Sequence, residues 1–238
     1  MAKPTARTLA IVSMALLGCS CVPSINGCKI EPNTQCPQAD LTEADLTEAD
    51  LSGADLTMAI LAGADFEGAN LFNAHMPFAT LSGANLHGAI LWEANLSWAD
   101  LGGASLMKAD LREANLHRAN LSGANLSKAN LTDADLSGAN LAGANLHDAH
   151  LMDANLHETD LSEADLSEAD LTITNLSGAI LWKANLREAI LWKANLRGVD
   201  LSKADLSKAD LRIARYDADT KWPEGFDPVA AGAVLVED

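Results

Sequence analysis

Ala124-Asn125-Leu126-Ser127-Lys128 is one copy of a unit that repeats every five residues from Ala39 to Ile213, almost without slip. Leu holds the centre at 41, 46, 51 and onward to Leu211, replaced only by Phe66 and Met76. Ala stands two residues earlier, except at Thr159, Thr174 and Val199, and Asp or Asn usually lies between. On an α-helix each fifth residue advances about 140°, which smears the leucines around every side, and on a flat strand each fifth residue flips face. Neither element buries this pattern. A chain that turns by about 90° per unit does, because every Leu and Ala then points to one axis and the path closes after four units. The other three positions face water, and there the sequence places Asp, Asn, Ser, Thr, Lys and Glu.

Closure after four units requires a second correlation at twenty residues, which a period of five alone does not demand. Gly63, Gly83, Gly103, Gly123 and Gly143 form one such series, Gly68 and Gly88 another, and the pairs Phe72/Trp92 and Phe78/Trp98 two more. Some near-copies stand ten apart, such as Ile180–Arg187 against Ile190–Arg197, and read as duplication scars.

With units that read A(D/N)LXX, the chain resembles the pentapeptide-repeat family, whose solved members are square right-handed β-helices. The resemblance spans about three quarters of the sequence. It implies an all-β fold, a right-handed quadrilateral β-helix of about nine coils, roughly 40 Å long at about 4.8 Å per coil. The expected organisation is a signal peptide at 1–18, a linker or N-terminal cap at 19–38, the solenoid at 39–213 and a C-terminal cap or tail at 214–238.

Lys3 and Arg7 precede an apolar run from Leu9 to Leu17, too short to span a bilayer as a helix and shaped like a secretory signal. It ends in Leu16-Leu17-Gly18-Cys19, similar to the bacterial lipobox, in which the Cys is lipidated and becomes the first mature residue. The expectation is therefore an exported lipoprotein held to a membrane through Cys19. Ordinary signal cleavage and an uncleaved leader are the rival readings. An oxidising compartment pairs Cys28 with Cys36 and leaves Cys21 over, whereas these spacings lack the CxxC pairs of a zinc site. Pro23, Pro32 and Pro37 lie in the same segment, which shields the first coil or merely tethers it. Beyond Arg215, Tyr216 keeps the Leu phase and with Trp222 and Phe226 reads as a lid on the last coil. A dimer interface at this end is the rival, so the chain is expected as a monomer or a C-terminal dimer.

The formal charge of −17 argues against direct nucleic-acid binding, which needs Lys and Arg to displace counterions. Ser residues sit at outward turn positions in no Ser–His–acid order, and His75, His87, His117, His147, His150 and His157 all point outward. The reading assigns no catalytic residue, no metal site and no cofactor. Asp45 and Asp65 stack amid Asp40, Glu43, Glu48, Asp50 and Asp55, where calcium is one reading and a solvated face the other. Asn in equivalent places, such as Asn125 and Asn145, relieves like-charge repulsion. Phe72, Phe78, Trp92 and Trp98, with Met58 and Pro77, mark the candidate partner-binding patch, and Arg112 and Arg212 stand where cation–π contacts to Trp92 and Trp192 are expected. The function expected is a non-enzymatic protein-interaction scaffold. The alternative, implied by the resemblance, is an acidic DNA mimic that modulates a type II topoisomerase.

Overall fold

The hydrogen-bond needs of one repeat dictate the coil. In the unit 124–128, the Ala124 amide donates to Leu121 O at 3.0 Å and closes a β-turn, the Asn125 amide reaches back one coil to Ala104 O at 2.9 Å, and those of Leu126 and Lys128 reach forward to Asn145 O and His147 O at 2.7 and 3.0 Å. Only the Ser127 amide lacks a backbone partner, and Asn125 Oδ1 accepts it at 3.1 Å. A short carboxylate or amide two residues upstream is the side chain suited to that task. This explains the Asp/Asn preference before most of the leucines, since an unmet backbone donor is costly wherever water is excluded.

The computed structural model describes residues 23–237; the signal segment 1–18, Cys19 and Cys21 lie outside them. Parallel bridges join positions twenty apart, as in the ladder Asp40, Ile60, Thr80, Asp100, Asn120, Asn140, Asp160, Ile180 and Asp200, whose nine positions mark nine coils and which a further bridge continues to Lys221. The molecule is a right-handed quadrilateral β-helix, and no helix occurs among the described residues. Turns lie at the four corners: the first comprises residues 42–43 and every twentieth pair after them, the second starts at 47–48, the third at 52–53 and the fourth at 57–58. The second residue of each pair has a left-handed backbone, with φ of 53° at Glu43 and 61° at Trp98, in turns closed by bonds such as Ala44 N to Leu41 O at 3.1 Å. That is the geometry of a type II turn, in which Gly is the relaxed choice.

Inside, the leucines and alanines are buried along the whole rod, with Phe66 and Met76 in Leu places. Each buried Leu contributes about 1.5–3 kcal/mol against the entropy of ordering its unit. Two exceptions to Ala are reconciled by hydrogen bonds: Thr159 Oγ1 donates to Leu136 O and Thr174 Oγ1 to Leu151 O, both at 2.9 Å.

Both ends are elaborated. Strand β1 (Ser24–Ile25) pairs antiparallel with β2 (Cys28–Lys29) around Asn26-Gly27, both left-handed, the favoured two-residue hairpin turn. Cys28 and Cys36 are joined through their sulfurs with Cα atoms 5.6 Å apart. The coil pattern begins ahead of Ala39, because Thr34 occupies an Ala place and Cys36 a Leu place, its amide bonding Asp55 O at 2.8 Å. At the other end β3 (Arg215–Tyr216) pairs in parallel with β4 (Val234–Leu235). Tyr216 meets Trp222 edge-on at 5.4 Å, and Trp222 stacks on Phe226 at 5.3 Å over the last leucines.

Candidate partner-binding surface

Because the corners stack in register, side chains twenty residues apart touch, and the aromatic residues form two separate columns. At the third corner Phe72 and Trp92 lie 5.4 Å apart and tilted, and the Arg112 guanidinium covers the Trp92 ring at 5.0 Å. Trp92 Nε1 donates to Glu113 Oε1 at 3.3 Å, and Arg112 is itself held by a two-pronged bond to Asp110, at 2.8 and 2.6 Å. That fork holds the Asp110 carboxyl below the usual range. Phe72 and Trp92 are half-buried in this column.

The fourth corner is more open. Met58, Phe78 and Trp98 succeed one another, 50, 54 and 47% exposed, with Phe78 and Trp98 stacked at 6.2 Å. Arg118 closes the column 4.8 Å above Trp98, and His117 meets the same ring edge-on at 6.1 Å. Met58, Phe78 and Trp98 all occupy left-handed turn positions, with φ from 56° to 61°. Bulky side chains there cost about 1–2 kcal/mol each relative to an unstrained backbone. The two columns flank one side of the square, whose centre carries Asp55, His75, Asn95 and Asn115. Thus the four aromatic residues share a side without forming one continuous patch.

Of the two expected cation–π pairs, Arg112 on Trp92 is present. Arg212 binds both oxygens of Asp210 instead, and Lys193 covers Trp192 at 4.0 Å. Arg118 was missed at the sequence level, although its place twenty residues after Trp98 signals the contact.

The polar surface is equally ordered. Asn70 donates to Asp50, Asn85 to Asp65, Asn120 to Asp100 and Asn185 to Asp165, each across one coil at 2.8–3.0 Å. Among the described residues, Asp45 under Asp65 is the one place where two such carboxylates stack directly. Thr57's hydroxyl and amide hold the Asp55 carboxyl below its ordinary value. His117, His147 and His157 bond through Nδ1 to Ser137, Ser167 and Ser177 at 2.8–3.0 Å. Among the described residues no three His, Cys, Asp or Glu side chains gather as a metal group would require.

The profile of pentapeptide repeats matches the chain in 8 copies, over residues 33–61, 49–88, 89–127, 129–167 and 183–214. HetL, a pentapeptide repeat protein involved in heterocyst differentiation regulation from the cyanobacterium Nostoc sp. strain PCC 7120, is 40% identical over 77% of this chain and 89% of its own, with a TM-score of 0.45. Rfr23 from the cyanobacterium Cyanothece 51142 is 36% identical over 50% of this chain and 90% of its own, with a TM-score of 0.41. QnrB1, a plasmid-mediated fluoroquinolone resistance protein, is 21% identical over 79% and 91% of the two chains, with a TM-score of 0.40. No curated protein matches the chain. A profile that matches most of the sequence, on the repeats whose coils are described above, places this chain in the pentapeptide-repeat family.

Proposed function

We propose that the chain is a non-enzymatic interaction scaffold, exported and held to a membrane by a lipid on Cys19, that presents its fourth corner to a protein partner. The observation that carries this reading is the column of Met58, Phe78 and Trp98, each about half exposed in a turn position where Gly is relaxed. Large aromatic side chains in the open are the usual anchors of protein interfaces. The stiff rod fixes their spacing beforehand, so little ordering entropy is spent on binding. Phe72 and Trp92 supply a second, more buried column along the same side.

The test has two parts. Membrane fractionation with mass analysis of the amino-terminal peptide reads the anchor: a diacylated Cys19 is expected, and a soluble chain that retains Met1 refutes export. Phe78→Gly with Trp98→Gly, substitutions that suit the left-handed backbone, should not lower thermal stability and should abolish crosslinking to neighbours in the cell. Unchanged crosslinking refutes the assignment of the corner.

One observation favours a second reading, an acidic DNA mimic acting on a type II topoisomerase. Between Lys29 and Lys108 the sequence contains no Lys or Arg, so the early coils present carboxylates alone. A gyrase supercoiling assay with the processed protein separates the two readings.

A further inference from the structure

The side opposite the aromatic columns lies between the first and second corners, and its charge is graded along the rod. Glu43, Glu48 and Glu67 stand in the first two coils, and Lys183, Arg187, Lys203 and Lys208 in the last two. Between them the first corner is reduced to Ala62-Gly63, Ser82-Gly83, Gly102-Gly103, Ser122-Gly123 and Ala142-Gly143. The backbone does not demand this, because Glu43 and Lys203 adopt the same left-handed conformation in the same row, at φ 53° and 69°. Neither do neighbouring atoms, since a Cβ built on Gly83, Gly103, Gly123 or Gly143 meets nothing within 4 Å. Gly relaxes that left-handed backbone, and the open space above the row also leaves room for another backbone to approach closely.

We propose that this side is an isologous interface for a second copy of the chain, packed antiparallel about a twofold axis that crosses the coil 122–128. The twofold brings like corner onto like corner and reverses the order of coils. Glu43 then faces the other copy's residue 203 (Lys203), Glu48 faces Lys208, Glu67 faces Arg187 and Lys108 faces Asp148, each contact made twice. The bulky Trp182-Lys183 falls opposite the small Ala62-Gly63. Among the described residues Glu43, Glu48, Glu67, Lys108 and Lys203 form no ion pair within the chain, Lys203 lying 5.9 Å over the Trp182 ring and Glu67 accepting only a 3.5 Å bond from Asn85. Lys183, Arg187 and Lys208 reach Glu163 and Glu188 at 3.0, 3.4 and 2.9 Å, in exposed pairs that can be shared. The register also sets Asp45 against Asp205 and Lys128 near its own counterpart, where Asp148 stands 3.9 Å from Lys128. A face roughly 40 Å long and about 16 Å wide covers about 650 Å² per copy, so the pair buries a total within the range of stable interfaces.

Sedimentation equilibrium of the purified full chain tests this. A mass of twice the chain is expected at micromolar concentration, weakening about tenfold or more as salt rises, because the contacts are charged and lie at the rim. Glu43→Lys with Glu48→Lys, or Lys203→Glu with Lys208→Glu, should each raise the dimer Kd by roughly 100-fold. All four together should restore it to within a few-fold of the original, a rescue that misfolding cannot produce. Gly103→Trp, in a backbone conformation that Trp98 already adopts, should break the dimer while the variant stays folded, its far-ultraviolet circular dichroism unchanged. A chain that stays monomeric at about 100 μM overturns the proposal, being far above the expected Kd. So does a dimer that survives Gly103→Trp, as a C-terminal one would, or a quadruple variant that is not rescued.

Discussion

Replacing Asn185 by Asp isolates the force that distributes Asp and Asn over this solenoid. Asn185 lies between Asp165 and Asp205 on one ladder and donates from Nδ2 to Asp165 Oδ1 at 2.8 Å. The Asp variant keeps the acceptor that caps the Arg187 amide, at 3.2 Å in the parent, but loses the donor and sets three carboxylates in a row. At a coil spacing of about 4.8 Å each new pair repels by about 0.9 kcal/mol in bulk water and about 3.5 kcal/mol at an effective dielectric of 20. The lost charge-assisted bond adds about 1.5–3 kcal/mol. Asp165 and residue 185 are half-buried and Asp205 is exposed, so a destabilisation of about 3–5 kcal/mol near neutral pH follows, toward the solvent-screened end of the two dielectric limits. Ser207's hydroxyl and amide, aided by Arg187, hold the Asp205 carboxyl below its ordinary value, so the neighbour stays charged. The introduced carboxyl is pushed upward instead, and a proton there restores a donor toward Asp165. The deficit is therefore present in full above its raised folded pKa and closes as pH falls from there toward the unfolded Asp value of about 3.9. Paired urea titrations of parent and variant at several pH values provide the measurement. A deficit below about 0.5 kcal/mol at pH 7, or one that does not change with pH, refutes the reasoning, being no more than an ordinary surface substitution.

Three further outcomes follow from the same geometry. Ala124→Leu should destabilise more than Leu126→Ala, a cavity costing about 2–5 kcal/mol, because the added carbons force apart the 2.9 Å bonds Asn125 N to Ala104 O and Asn145 N to Ala124 O; equal melting temperatures count against this packing. Reducing the Cys28–Cys36 bridge, which spans 8 residues, should remove about 2–3 kcal/mol of restraint and accelerate hydrogen exchange over 24–56 while leaving 120–200 unchanged, since coils couple only to neighbours. Ile173→Gly should raise stability by about 0.5–1 kcal/mol in thermal unfolding, because Ile173 sits at φ 61° with 44% exposure and relief of that strain exceeds the entropy glycine adds to the unfolded chain.

The solenoid was legible because its core is written with one residue type at one interval, and only a quarter-turn per unit buries Leu41 through Leu211 together. The partners Phe72/Trp92, Phe78/Trp98 and Arg112/Trp92 were legible too, since twenty residues is the vertical step. Their division into two columns was legible from the same step, but the greater exposure of the column at Met58, Phe78 and Trp98 was not, because it depends on how the chain bends at each corner position. Arg212 misled for a physical reason: Asp210, two residues upstream, offers both carboxylate oxygens, and Lys193 already covers Trp192. Arg112 satisfies its own Asp110 and still lies over Trp92. The first coil was hidden because Thr34 and Cys36 fill inward places without resembling Ala and Leu.

The interior counts in fives while the exterior counts in twenties, and this difference governs how such a gene tolerates loss and gain. Deleting one quintet leaves every downstream Leu on the axis, yet rotates all later corners by a quarter and sends Trp98 to a different edge from Phe78. Only events in multiples of twenty keep both the core and the displayed surface in step. Length changes that conserve the fold therefore need not conserve what the rod recognises.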